Sequence, residues 1–158
     1  MSKIIVAVLI LIIASVLVNR YFTTRKSVGV NSVVGQEYLV ENLKNVNVQT
    51  TESGLQYEVL VQGDGSVQPK ATDKVTVHYH GTLIDGTVFD SSVERGETIS
   101  FGLNQVIKGW TEGVQLMVVG DKTRFYIPSN LGYGNRSAGK IPPGSVLVFE
   151  IELFGINE

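Results

Sequence analysis

The stretch GNRSAGK, residues 134–140, is the first candidate for chemistry, because it nearly matches the phosphate-binding pattern G-x-x-x-x-G-K-[ST]. The pattern requires Ser or Thr after the lysine, and Ile141 stands there instead. It also requires a helix to begin at this point, so that backbone N–H groups can hold the phosphates. Pro142 and Pro143, followed by Gly144, remove two donors and prevent a helix. A nucleotide site is therefore not predicted, and the loop needs another explanation.

The two histidines are the second candidate, because His78 and His80 lie two residues apart on a predicted strand and point to the same side. Such a pair could bind zinc, but the sequence places no third ligand beside it, and its face of the strand is polar. We therefore interpret the histidines as a solvated pair. Ser91 and Ser92 have no His–Asp partner that the sequence identifies, so they are not predicted to be nucleophiles.

Composition excludes several other kinds of site. The chain has 158 residues and no cysteine, which excludes disulfides, cysteine-based zinc sites and thiol nucleophiles. Its net charge is -2 with 18% charged residues, so nucleic acid is not a predicted partner. No metal and no cofactor are predicted, and nothing indicates hydrolysis, redox chemistry or phosphoryl transfer.

An apolar set is the third candidate, since aromatic and aliphatic residues from across the chain fall on one face of a predicted sheet. They are Tyr79, Phe89, Phe101, Val106, Ile107, Trp110, Tyr133, Ile141 and Phe149. Such residues usually form a core. However, a single short helix is too little to cover so many rings. Several also lie in loops, beside Asp90, Arg95 and the prolines, where a concave site would form.

The elements that position this set follow from a period of two in the apolar residues from residue 54 onward. The alternating stretches are GLQYEVLV, KVTVHYHG, RFYI and VLVFEIELFG, and Gly-rich or Asp-rich turns separate them. The stretch VIKGWTEGVQLM breaks the alternation and has room for about two helical turns. The predicted fold class is α+β: a twisted antiparallel sheet with one apolar face and one short helix lying on it.

The amino terminus carries an apolar block. Residues 4–18, IIVAVLILIIASVLV, are uncharged and would form a helix of about 22 Å, short of the roughly 30 Å hydrocarbon core. Flanking residues, with Lys3 and Arg20 reaching outward, bring the segment near spanning length. An uncleaved membrane anchor or signal segment over residues 1–22 is therefore predicted. A cleaved signal peptide and a buried core helix are the alternatives.

Residues 23–50 are predicted to be a tether with a short helix, and residues 51–158 a single globular domain. The stretch TTRKSVGVNSVVG, residues 23–35, has no period and is typical of a linker. Residues 35–48 place Tyr38, Leu39, Leu43 and Val46 near helical spacing.

Three long stretches closely resemble the FKBP-type peptidyl-prolyl isomerases. They are VTVHYHGTLIDGTVFDSS, VIKGWTEGVQLMVVGDKTRFYIPSNLGYG and IPPGSVLVFEIELFGI. The resemblance runs from about Thr51 to Ile156, and the stretches TTESGLQYEVL and YLVENLKN are similar to the bacterial Mip-like group. The resemblance implies a curved antiparallel sheet wrapped around one short helix, preceded by an amino-terminal apolar helix and tether. The loop GYGNRSAGKIPP would then be a flap over a proline pocket.

The resemblance also implies a site, position by position. It gives catalytic roles to Tyr79, Asp90, Ile107, Trp110 and Tyr133. It gives substrate contacts to Phe89, Ile99, Phe101, Val106, Ile141 and Phe149. Ile99 stands where the family often has Phe, and the flap lacks a histidine that many members carry. Both departures are expected to alter sequence preference or macrolide affinity without removing the pocket.

The implied function is acceleration of X–Pro rotation in protein folding, by stabilising the twisted amide in an apolar pocket. The alternative is a chaperone-like binding module for Pro-containing segments with little turnover. The implied partners are proline-containing polypeptides, macrolide inhibitors and, through residues 4–22, a membrane.

The orientation of the anchor is in conflict. Bacterial relatives with apolar amino termini usually face the periplasm, so we expect a membrane-anchored protein with a periplasmic domain. The positive-inside rule instead favours the cytoplasm, because Arg20, Arg25 and Lys26 outweigh Lys3. A cleaved, secreted form is a further alternative.

Overall fold

A computed structural model describes residues 2–158, with side chains from Leu9 onward. Met1, and the side chains at the start of the predicted anchor over residues 1–22, lie outside this description.

Seven antiparallel strands form one sheet. In chain order they are β1 Gln49–Thr50, β2 Gln56–Val61, β3 Lys74–Leu83, β4 Val88–Ser91, β5 Ile99–Gly102, β6 Lys122–Ile127 and β7 Leu147–Ile156. The sheet order is β1-β2-β6-β7-β3-β4, and β5 pairs with the other end of β3. The helices are α1 Ser2–Asn42, α2 Ser92–Arg95 and α3 Lys108–Val114. The α+β class and the antiparallel sheet with a short helix on its apolar face are confirmed.

The core lies between α3 and the apolar face of the sheet. On β3 the side chains of Val75, Val77 and Tyr79 are buried, while their neighbours are exposed or half-buried. The same alternation runs along β7, which pairs with β3 over most of its length. These strands therefore bury one face each, as their period of two predicts.

Strand β2 departs from its alternating sequence. Val59 and Val61 are 41% and 54% exposed, whereas the side chain of Gln56 is buried. The pairing of β2 with β6 is regular as far as Val59 and becomes irregular between Val59 and Val61. Gln56 is buried because its Nε2 donates to the Leu39 carbonyl at 2.9 Å and its Oε1 accepts from Asn42. Its polar atoms are thus satisfied away from water.

The prediction of an irregular tether over residues 23–35 is wrong, because these residues are helical. Helix α1 runs without interruption to Asn42, so the helix predicted over 35–48 is its last part and ends earlier. The physical reason is tertiary packing, which overrides weak local propensity. Leu39 of α1 packs in a second buried cluster with Tyr126 and Val146 of the globular domain. Where the chain divides into domains stays a prediction.

Helix α1 also rests on the chain just before β7. The Asn31 side-chain amide donates a 2.8 Å hydrogen bond to the Pro143 carbonyl. Gly35 is buried so closely against Val146 that a Cβ there would lie 2.7 Å from the valine methyl. The second half of α1 is therefore docked on the sheet domain by polar and apolar contacts.

The predicted membrane span is not supported. Among the residues that the structure describes, no helix has a segment that is both long and apolar enough to cross a bilayer.

Candidate active site

A cavity of about 1000 Å³ opens on the apolar face of the sheet, between α3, β3 to β5 and the loop before β7. Every residue that the resemblance assigned to a site lines this one cavity. They are Tyr79, Phe89, Asp90, Ile99, Phe101, Val106, Ile107, Trp110, Tyr133, Ile141 and Phe149. The structure therefore brings together residues from five elements and two loops, and their individual roles stay predictions.

Trp110 lies at the centre of a cluster of rings. Its ring centroid is 5.1 Å from that of Phe149 and 5.2 Å from that of Tyr79, both nearly perpendicular to the indole. Phe101 approaches at 5.3 Å with a tilt of 54°. Edge-to-face packing of this kind fixes each ring. The indole is 6% exposed, so it belongs to the core and also forms part of the cavity wall.

Three side chains form a polar group at the cavity rim. The Tyr79 hydroxyl donates to one Asp90 carboxylate oxygen, and Arg95 donates to the other. Arg95 also donates to the Tyr79 hydroxyl oxygen at 2.9 Å. Burial raises the pKa of Asp90, but the hydrogen bonds from Tyr79 and Arg95 outweigh it, so the pKa lies below its usual range. Burial, then the Asp90 carboxylate, raises the pKa of Tyr79. Asp90 is therefore ionised and Tyr79 neutral near neutral pH.

The loop over residues 132–144 is a closed hairpin. Ala138 and Ile141 exchange backbone hydrogen bonds of 3.0 and 2.9 Å, and the Gly144 N–H donates to the Gly134 carbonyl at 2.8 Å. Gly134, Gly139 and Gly144 all have positive φ, which glycine adopts without strain. This geometry accounts for the glycine spacing of GNRSAGK, which serves a tight flap over the cavity. No helix begins in this loop.

Three hydrogen-bond donors belong to residues that line the cavity. Ile107 precedes α3, and within the described chain its N–H donates to no protein acceptor. The side chain of Tyr133 is 36% exposed. The indole N–H of Trp110 is buried and has no partner among the described residues. A buried donor without an acceptor is costly, so a ligand carbonyl would be favourable here.

The comparison with known families decides the classification. A sequence model described as FKBP-type peptidyl-prolyl cis-trans isomerase matches residues 65–154, more than half of the chain. The chain belongs to this FKBP family. A second model, described as a domain amino terminal to FKBP-type peptidyl-prolyl isomerase, matches residues 18–59.

Individual FKBP relatives are similar over most of the chain. An isomerase named FkpA from Aeromonas hydrophila is 59% identical over 128 residues, which are 81% of this chain and 47% of the relative. A 22 kDa FKBP-type isomerase from Escherichia coli K12 is 57% identical over 123 residues, 77% of this chain and 59% of the relative. The chain thus spans about half the length of these relatives.

A solved FKBP structure shares the fold. The crystal structure of FkpA from Escherichia coli superposes with a TM-score of 0.90 at 41% sequence identity. The superposition covers 97% of this chain and 71% of that one, so it includes helix α1 as well as the sheet.

Polar residues of this FKBP cavity were missed by the sequence analysis, which searched for rings. They are Gln105, Lys108, Asn130, Asn135, Arg136 and Lys140. The flap residues among them lie within the stretch that first drew attention as a nucleotide loop. The sequence shows the charges of Arg136 and Lys140, but it does not show that they lie beside an apolar cavity.

Gly81 is a second residue that sequence reasoning missed. A Cβ at this position would lie 2.6 Å from the Phe89 ring and 2.7 Å from the Phe149 ring. Glycine therefore lets both rings of the cavity wall lie directly over β3. The available signal was a glycine inside an otherwise regular strand, which often marks a close approach.

The histidine pair lies on the opposite face of β3 from the FKBP cavity, and the interpretation as simply solvated needs correction. Both rings are half-buried. His78 Nδ1 lies 2.9 Å from the Ser92 hydroxyl oxygen, and His80 Nδ1 lies 2.9 Å from that of Ser91. The Ser92 oxygen also accepts from the Tyr79 N–H at 2.8 Å. The histidines thus help to fix the segment that carries Asp90 and Arg95.

Proposed function

We propose that the chain is a peptidyl-prolyl cis-trans isomerase that accelerates rotation of X–Pro bonds in polypeptides. The observation that carries this proposal is the cavity with walls of aromatic rings and Trp110 at its floor. It is supported by membership of the FKBP family and by the names of the relatives. An unfolded segment that exposes proline would enter it as a substrate.

The chemistry follows from the amide bond. Rotation about X–Pro has a barrier of about 18–20 kcal/mol, because the amide loses its resonance when it twists. Unaided exchange takes tens to hundreds of seconds. The twisted amide is less dipolar than the planar one, so a water-poor cavity favours it relative to bulk water. Each 1.4 kcal/mol of such preference gives about a tenfold faster rate.

Two sets of cavity residues contact the substrate directly in this proposal. Trp110, Phe101 and Phe149, with Val106, hold the pyrrolidine ring by apolar contact. The Ile107 N–H and the Tyr133 hydroxyl donate hydrogen bonds to carbonyls that flank the proline. Within the described chain the Ile107 N–H donates to no protein acceptor, and the Tyr133 side chain is 36% exposed, which supports this role.

Asp90 acts at the rim, where it orients Tyr79 and polarises the entrance. No proton needs to move and no covalent intermediate forms, since bond rotation breaks no σ bond. The remaining wall residues, Phe89, Ile99 and Ile141, exclude water around the proline. The cavity volume of about 1000 Å³ exceeds that of one proline ring. Macrolide inhibitors are therefore candidate ligands, and they would compete with peptide.

A binding module with little turnover is the second candidate, because an apolar cavity can hold proline without twisting it. Exchange NMR on a short Xaa-Pro peptide distinguishes the two. An isomerase increases the cis–trans exchange rate at substoichiometric concentration, whereas a binding module shifts peptide resonances at stoichiometric concentration without changing that rate.

We also infer an extracytoplasmic location, either attached to a membrane through residues 4–22 or secreted. The location is supported by the resemblance to bacterial relatives named FkpA. Membrane attachment is supported by the large apolar side chains from Leu9 to Val18, which are between 52% and 69% exposed. This chain alone does not bury them. Alkaline phosphatase fused after Glu158 is expected to be active in a bacterial host. An inactive fusion, with active green fluorescent protein at the same position, would contradict the inference.

A further inference from the structure

The cavity rim carries three cations from two separate elements. Lys108 begins α3, and Arg136 and Lys140 lie in the flap. All three side chains are exposed, and none takes part in an ion pair among the described residues. Asp90 is the one acidic residue that lines the cavity within the described chain, and Arg95 already pairs with it. The rim is therefore net positive.

This positive rim is local rather than a consequence of overall composition. The chain as a whole has a net charge of -2. A cleft that is lined by one sign of charge and has low-dielectric walls concentrates the electric potential at its mouth. Here the walls are the aromatic rings around Trp110. An acidic side chain that enters with the proline would meet this potential.

We propose that Arg136, Lys140 and Lys108 make the site selective for X–Pro segments with Asp or Glu within about two residues of the proline. The inference rests on the proposed function, because the proline pocket requires a polypeptide. Two cations within about 8 Å of an acidic side chain are expected to favour it about fivefold over a neutral side chain at low ionic strength. The preference falls with salt, since the cations are exposed.

Two peptides that differ only in the residue after proline, Glu or Lys, test the proposal. Varying this position leaves the reacting X–Pro amide unchanged. We expect kcat/KM from exchange NMR to favour the Glu peptide about tenfold at roughly 20 mM salt, because the cations also repel the Lys peptide, and less than about threefold at roughly 300 mM. Affinities from NMR titration of the same peptides give the preference independently of turnover.

A matched pair of double variants assigns the effect to the flap. R136Q/K140Q should bring the two peptides within about twofold of each other at low salt, because both flap charges are gone. K44Q/K70Q removes the same charge from exposed residues that do not line the cavity, and should keep the preference.

The outcomes separate this inference from the proposed function. Equal kcat/KM for both peptides, or a preference for Lys, would overturn the selectivity while the isomerase stands. A preference that survives in R136Q/K140Q would overturn its assignment to the flap. If neither peptide is turned over, the isomerase proposal fails, and the titration affinities then decide the selectivity by the same ratios.

Discussion

Replacing Trp110 with Ala is expected to lower kcat/KM for Xaa-Pro peptides by about a hundredfold or more. The substitution removes the floor of the cavity and the ring that packs edge-to-face with Tyr79 and Phe149. Water can then reach the amide, and the wall rings lose their fixed positions. A hundredfold loss corresponds to about 2.7 kcal/mol of twisted-state stabilisation.

Two comparison variants show whether the loss belongs to the cavity. Phe154→Ala removes a ring that is 44% exposed and lies against His78, on the opposite face of the sheet. It should leave kcat/KM within about twofold of the wild type. Asp90→Ala removes the rim carboxylate and should cost only about tenfold, since the apolar walls remain.

Stability must be controlled, because Trp→Ala in a core costs about 3–5 kcal/mol. Circular dichroism and thermal unfolding give the folded fraction, and Trp110→Leu supplies a variant that retains more of the apolar volume. Wild-type kcat/KM in a folded Trp110→Ala variant would contradict the role of the indole.

Replacing Gly113 with Leu is expected to lower the free energy of unfolding by about 3 kcal/mol or more. A Cβ at Gly113 would lie 2.6 Å from the Phe125 ring, which is only 1% exposed and has no room to move aside. Helix α3 would have to rise from the sheet, and the cavity floor would rise with it. Urea unfolding followed by the fluorescence of Trp110, the single tryptophan, measures the change.

Gly29→Ala is the matched control, since Gly29 is also helical but a Cβ there meets nothing within 4 Å. Helix propensity alone should then stabilise α1 by up to about 1 kcal/mol. Gly113→Ala gains the same propensity yet should destabilise by about 1–3 kcal/mol. Equal stabilisation by both substitutions would show that α3 does not depend on the close approach to Phe125.

The sequence predicted those parts of the fold in which the burial of one face alone sets the spacing of apolar residues. Strands β3 and β7 alternate because one face is buried along their whole length. Helix α3 interrupts that period. The cavity residues needed more than a period, since Phe89, Tyr133 and Ile141 come from different elements. The family resemblance assigned them to a single site, and in the structure they line one cavity.

The parts that the sequence did not predict depend on contacts between distant residues. Residues 23–35 carry weak helix formers, and their helix is held by contacts such as Asn31 with Pro143. The exposed end of β2 coincides with irregular pairing against β6 between Val59 and Val61. The close approach at Gly81 depends on two rings from other strands. None of these causes is visible in a single stretch of sequence.

The rate of cis–trans exchange in a short Xaa-Pro peptide, measured by NMR with a substoichiometric amount of the full chain, tests the central claim most directly. Without protein, exchange takes tens to hundreds of seconds at 25 °C. The chain is predicted to increase the rate at least about tenfold, which corresponds to about 1.4 kcal/mol of preference for the twisted amide. An unchanged exchange rate, while peptide binding shifts the resonances of Trp110 and Tyr133, would contradict it.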